Sequence, residues 1–230
     1  MGKLVRSLLW KEWREQRWKL AFGSVTLAAF TGVGLQARLV PDEYIVLLTS
    51  FVGGWLLPVF VAMGLVAAER GEGSLHTLLA LPARPWVVLA VKLLVGAAAC
   101  LAPLAASAGI ACLLAGGREM HVPVIVARHA ASAMIAMCVL VWTVSLSIRQ
   151  PTEARAGLMG AAIVLVIVLG IPGSGRTERL YFVDYLNPGL VMRLMDSLQL
   201  GTYLLTQIAL AAFLFWLALL RLPRHVSSRI

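Results

Sequence analysis

The chain has 230 residues, of which 60% are hydrophobic and only 13% charged, with a formal net charge of +9. A soluble domain carries roughly 25% charged residues, so this composition excludes an ordinary water-soluble domain. The basic excess is not spread as a nucleic-acid surface would need; it is concentrated between long apolar runs.

The first element, residues 1–19, contains LVRSLLWKEWREQRWK from Leu4 to Lys19, with three tryptophans and five basic residues. Trp favours the water–lipid boundary, and Lys and Arg favour the cytoplasmic side of a membrane. The stretch reads as an amphipathic interfacial helix on the inner face of a bilayer, with Leu9, Trp10, Trp13, Arg14, Arg17 and Trp18 at the interface. Leu9 and Trp13 are expected on its membrane side. Glu15 is spaced to pair with Lys11 and Lys19 one turn away on either side.

Six apolar runs follow: 20–35, 44–68, 87–114, 130–148, 156–172 and 202–220. A bilayer span needs about 20 apolar residues. Open backbone is not tolerated in lipid, and the period-two alternation of a barrel strand is missing, so the spans are helices. The expected fold is an all-α membrane protein with six transmembrane helices. If both termini lie in the cytoplasm, 14 of the 20 Lys and Arg fall inside and 6 outside, whereas acids divide 5 and 6. Only Lys and Arg set orientation, so this asymmetry selects N-in, C-in. The expected location is the bacterial cytoplasmic (inner) membrane. Charges reach residue 19 with no short apolar stretch before them, so a cleavable signal peptide is not expected.

Cys100, Cys112 and Cys138 all fall within spans, without a CxxC, which indicates neither a disulfide framework nor a metal knuckle. The outer loop 173–201 ends in Asn187, Pro188, Gly189 and LVMRLMDSLQL. Apolar residues at 190, 191, 194, 195 and 198 make one helical face, with Asn187 as cap and Pro188 in the first turn. An amphipathic outer helix is expected there.

The inner loop 69–86 is the most informative segment. Gly71 and Gly73 interrupt the helix leaving the second span, and Ser74 can cap a new one. Leu75, Leu78, Leu79 and Leu81 form an apolar strip, and Pro82 and Pro85 end the helix before the third span. Such a strip outside the bilayer core needs a cover, which lipid headgroups or a partner protein could supply. The run Glu69, Arg70, Glu72, Gly73, Ser74, Leu75, Leu78, Leu79, Leu81, Pro82 and Arg84, with Lys92 early in the next span, resembles the cytoplasmic loop of ATP-binding-cassette (ABC) type-2 exporter permeases. The WKEWREQRW stretch resembles the amphipathic helix with which bacterial members begin. Ser74 stands where Thr is commoner, and Pro85 where a polar residue is usual. The resemblance implies that the loop 69–86 supplies a coupling helix, Ser74 to Leu81, docked on a separate ABC ATPase subunit. It also implies a second permease copy or a homologous permease as partner, and ATP and Mg on the ATPase rather than on this chain.

The rest of the chain is poor in chemistry. GxxxxGK[ST] and HExxH are both missing, and His76, His121, His129 and His225 are dispersed. Spacing alone is silent on a Ser/His/Asp set. The chain is therefore expected to be a transport subunit and not an enzyme. Lys92 is placed to snorkel to the inner surface. Arg128 and His129 at the outer mouth of the fourth span read either as interfacial anchors or as part of a substrate path, and Gln207 joins them as a substrate-path candidate. Gln36, Thr143 and Gln207 are also suited to bonding neighbouring helices. Pro58 and Pro103 fall within spans, where they kink a helix. Ala98, Ala102 and Ala106, and Gly157 and Ala161, recur at the four-residue spacing that allows close helix contact. The functional expectation is the permease subunit of an ATP-driven exporter. The alternatives are a membrane anchor or scaffold without transport, or a secondary transporter.

Overall fold

A computed structural model describes residues 2–38, 40–65, 84–116, 121–148, 150, 152–170 and 200–221. Among them the elements are α1 (Gly2–Ala37), α2 (Asp42–Phe51), a π-helical turn (Val52–Leu56), α3 (Leu57–Met63), α4 (Pro85–Ala115), α5 (Val122–Ser147), α6 (Glu153–Gly170) and α7 (Leu200–Arg221), with no strand. The expected outer-loop helix and all of the expected coupling helix lie outside the described residues.

Helix ends follow local chemistry. Arg38 adopts a left-handed backbone (φ 52°) and ends α1. Pro41 precedes α2, whose first turn carries Asp42 and Glu43, where acids complement the positive end of the helix dipole. Pro85 and Pro123 stand in the first turns of α4 and α5, where a missing N–H costs nothing. Pro58 can donate no bond to the preceding turn, and the chain widens into the π turn just ahead of it. The expected kink at Pro58 therefore takes this particular form.

The helices make six passes. The end of the bundle where α1 begins is called basal here, and the other end apical. Leu8 clusters with Val88, Glu12 bonds Lys92, Gly23 faces Pro103 and Gly32 faces Ile110. The two helices thus run parallel, side by side, over most of their length. α2 with α3 descends, α5 descends and α6 rises: Gly157 meets Met63 basally and Val164 reaches Trp55 higher up. In α7, Tyr203 packs with Trp55 and Ala131, whereas Ala218 packs with Val61 and Ile148. It therefore descends, and both ends of the described chain are basal.

Five passes are long and apolar enough to cross a membrane: α1, α2 with α3, α4, α5 and α7. α6 is the shortest at 18 residues. The exterior is apolar. Phe22, Val25 and Val33 of α1 and Leu205, Ile208, Phe213 and Trp216 of α7 are exposed, which water would not tolerate over such an area.

The structure differs from the sequence reading at the N-terminus. The expected interfacial helix 1–19 and the expected span 20–35 are one unbroken helix. At about 1.5 Å per residue it is about 54 Å long, against a hydrocarbon thickness of about 30 Å. Gly64, at the basal end of α3, lies against the Lys19 ammonium, and Leu65 lies against Gly96. Both α1 and α4 therefore continue basally past α3, by about 25 Å and 16 Å respectively. The composition changes at residue 19, but nothing there breaks a helix: Trp, Lys, Glu, Gln and Arg all tolerate it, and the first Gly after position 2 comes at position 23.

Candidate functional site

Two polar clusters cross the apolar bundle, and a basic, aromatic face lies beneath them. The basal cluster is an ion pair. Glu12 and Lys92 are 1% and 2% exposed, and the Lys92 ammonium donates to Glu12 Oε1 at 2.7 Å. Lys11 lies 3.8 Å from the same oxygen and pairs with Glu15 at 3.3 Å. Leu8, Val88 and Val91, with Leu4, Val5 and Leu9 half-buried beside them, seal the pair on one side. Gln16, one turn along, is also buried. Lys92 thus does not snorkel to a surface as expected. Stripping water from an ammonium is costly, and a carboxylate at hydrogen-bond distance compensates it better than a long reach to water.

The apical cluster joins three helices. Thr31 Oγ1 donates to the Leu27 carbonyl at 2.7 Å and meets Ser107 Oγ at 2.8 Å. Ser107 Oγ meets His129 Nε2 at 3.2 Å, and His129 Nδ1 meets the Ile125 carbonyl at 2.9 Å. His129 is therefore buried between α1, α4 and α5 and is not an interfacial anchor; the reason is that α5 begins at Val122, two turns earlier than expected. Ser107 is fully buried and His129 leans on a backbone carbonyl, which leaves no opening for a substrate of a Ser/His nucleophile.

The two clusters are separated along α1 by about 28 Å of helix. The buried residues between them on α4 are apolar: Val95, Gly96, Ala99, Cys100, Pro103 and Leu104. The close packing is made by glycines. A Cβ on Gly23 would stand 3.2 Å from Pro103 Cγ, and one on Gly54, in the π turn, 3.2 Å from the Ser132 carbonyl.

The remaining expected residues divide plainly. Arg128 is half-buried beside His129, whereas Gln207 is buried on α7 and belongs to neither cluster. Trp10, Trp13, Arg14, Arg17 and Trp18 are exposed on α1 and Leu9 is half-buried, with the Arg17 guanidinium 5.5 Å from the Trp18 ring. A groove of about 860 Å³ on this face is lined by Lys3, Arg6, Ser7, Leu9, Trp10 and Trp13. Arg84 is exposed immediately before α4. Glu69, Arg70, Glu72, Gly73, Ser74, Leu75, Leu78, Leu79, Leu81 and Pro82 lie outside the described residues. No group of three or more His, Cys, Asp or Glu that could hold a metal occurs among the described residues. No protein-family model matches the chain, and no curated protein matches it.

The sequence reading missed both clusters as units. A faint signal was present for the basal one: Leu8, Glu12 and Gln16 share one helical face, and Lys92 is the single charge in a long apolar run. For the apical one, Thr31 and Ser107 are unremarkable in a membrane helix, and only the fold brings them to His129.

Proposed function

We propose that this chain is an integral membrane permease subunit of an ATP-driven ABC exporter, in the bacterial cytoplasmic membrane with its basal end in the cytoplasm. It carries the substrate path, and a separate ATPase subunit carries ATP and Mg. The observation that supports this most is the clasp between α1 and α4. The loop whose sequence resembles a coupling helix runs through Arg84 directly into α4. The basal turns of α4 are held to α1 by a buried ion pair and an apolar cluster. A push on residues 69–84 would therefore reach two long helices together, beyond the point where α3 ends. The chain has no recognisable nucleotide site, so work has to arrive as motion from a partner.

On this reading Leu75, Leu78 and Leu79 occupy a groove of the ATPase, flanked by Glu69, Arg70, Glu72 and Arg84. The substrate passes near Arg128, His129 and Gln207. A second permease copy or a homologue faces the exposed apolar helices, with lipid around the remainder.

Leu78→Asp decides between this and a scaffold. A carboxylate in an apolar groove costs several kcal/mol unless paired. The variant should fold and reach the membrane but lose co-purification with its ATPase subunit, and lose stimulation of ATP hydrolysis. Undiminished coupling would remove this loop from the interface. Orientation has its own check. Reporters fused after Ile230 and within residues 173–179 should report opposite compartments, and the same compartment for both would end the six-span reading.

A further inference from the structure

We propose that His129 is a reversible proton-binding site, completed by Ser107 and Thr31, in the apical half of the bundle. The contacts in this cluster fix how many protons it needs, whether or not the chain transports anything. The cluster is a chain of four close contacts: Ile125 carbonyl to His129 Nδ1, His129 Nε2 to Ser107 Oγ, Ser107 Oγ to Thr31 Oγ1, and Thr31 Oγ1 to Leu27 carbonyl. All four lie between 2.7 and 3.2 Å. Both ends are carbonyl oxygens, which only accept. Four contacts therefore need four protons. A neutral imidazole brings one and the two hydroxyls bring two, so one contact is left with facing lone pairs whichever tautomer is chosen. Imidazolium brings two, and every contact is then filled in one direction. Ser107 receives from His129 and donates to Thr31, which donates to Leu27.

Binding a single proton thus completes the bonding between α1, α4 and α5, and losing it opens one link. The opposing term is burial of a charge. The acids in the apical half of the neighbouring elements are Asp42 and Glu43 at the start of α2; Glu12 and Glu15 of α1 lie in the basal half. The other titratable groups there are Arg38 after α1, Tyr44 on α2, Cys112 on α4, His121 and Arg128 on α5, and Tyr203 on α7. None of them bonds His129, whose only side-chain partner among the described residues is Ser107. Among the described residues, the Ile125 carbonyl and the hydroxyl chain therefore carry the proton's stabilisation. Histidine is the side chain whose ordinary charge change falls between about pH 5 and pH 8, and an ionisable group inside a bundle of membrane-spanning helices is a functional site by default.

The test is nitrogen NMR on protein labelled at histidine with ¹⁵N, in nanodiscs, between about pH 5 and pH 8. His129→Asn assigns the signal among the four histidines. The expected result is conversion of His129 to imidazolium within that range. Thr31→Val, which does not touch His129, leaves Ser107 free to satisfy a neutral imidazole. It should weaken proton binding at least tenfold, a shift of one pH unit or more, and Ser107→Ala should do the same. Thr31→Ser keeps the hydroxyl and should titrate as the wild type does. His129 remaining neutral throughout in the wild type would overturn the proposal, as would an unchanged midpoint in Thr31→Val. The wild-type measurement stands even if a variant fails to fold.

Discussion

Lys92→Met should destabilise the purified protein by about 3–5 kcal/mol, because it leaves the Glu12 carboxylate buried without the ammonium that compensates it. Lys11 lies at 3.8 Å and is half-exposed, so it recovers part of the loss only. Glu12→Gln combined with Lys92→Met removes both charges and should return most of the lost stability, since a neutral pair in an apolar seat can equal a buried ion pair. Thermal unfolding of the detergent-solubilised single and double variants checks this. If the double variant is no more stable than Lys92→Met, the pair is not the coupled unit described here. The same variants bear on the proposed mechanism. In the double variant α1 and α4 keep the contacts among Leu8, Val88 and Val91 but lose the charge clasp, so a fold that survives with poorer coupling to an ATPase would place force transmission in the ion pair.

The second large effect is steric. A Cβ on Gly53 would overlap Leu104 Cδ2, stand 3.0 Å from its Cγ, and lie 3.5 Å from Leu27 Cδ1. Gly53→Val should therefore cost about 1–3 kcal/mol or more, by forcing α4 away from the π turn. Truncating the obstacle should relieve it. Leu104→Ala alone costs about 2–5 kcal/mol through the cavity it leaves, but combined with Gly53→Val the cavity is filled. The double variant should be at least about 1 kcal/mol more stable than the sum of the single effects, the non-additivity expected of touching residues. Strict additivity would show that the close approach of the π turn to α4 is not maintained in the membrane.

The amino-acid sequence by itself determined the helical passes. The starts of α2, α4 and α5 follow from Pro41, Pro85 and Pro123, which only a first turn or a preceding position accommodates, whereas α1 and α4 outrun the distance an apolar layer requires. It also marked Pro58 as a place where the regular ladder fails. Sequence composition suggested a division at residue 19 that the structure does not have, because a change from polar to apolar alters the surroundings of a helix without breaking it. Only the tertiary structure decided which buried polar groups meet. Glu12 and Lys92 stand 80 positions apart, and Thr31, Ser107 and His129 are spread over three helices. Local periodicity places each on a face, but which face meets which depends on the parallel packing of α1 on α4. That packing is set by Gly23 against Pro103 and by Leu8 against Val88 along the whole interface. An isolated histidine or lysine in an apolar run therefore says little until its neighbours across the bundle are known. Whether it reaches for water or for a partner is settled by the energy of burying a charge, and only packing sets that energy.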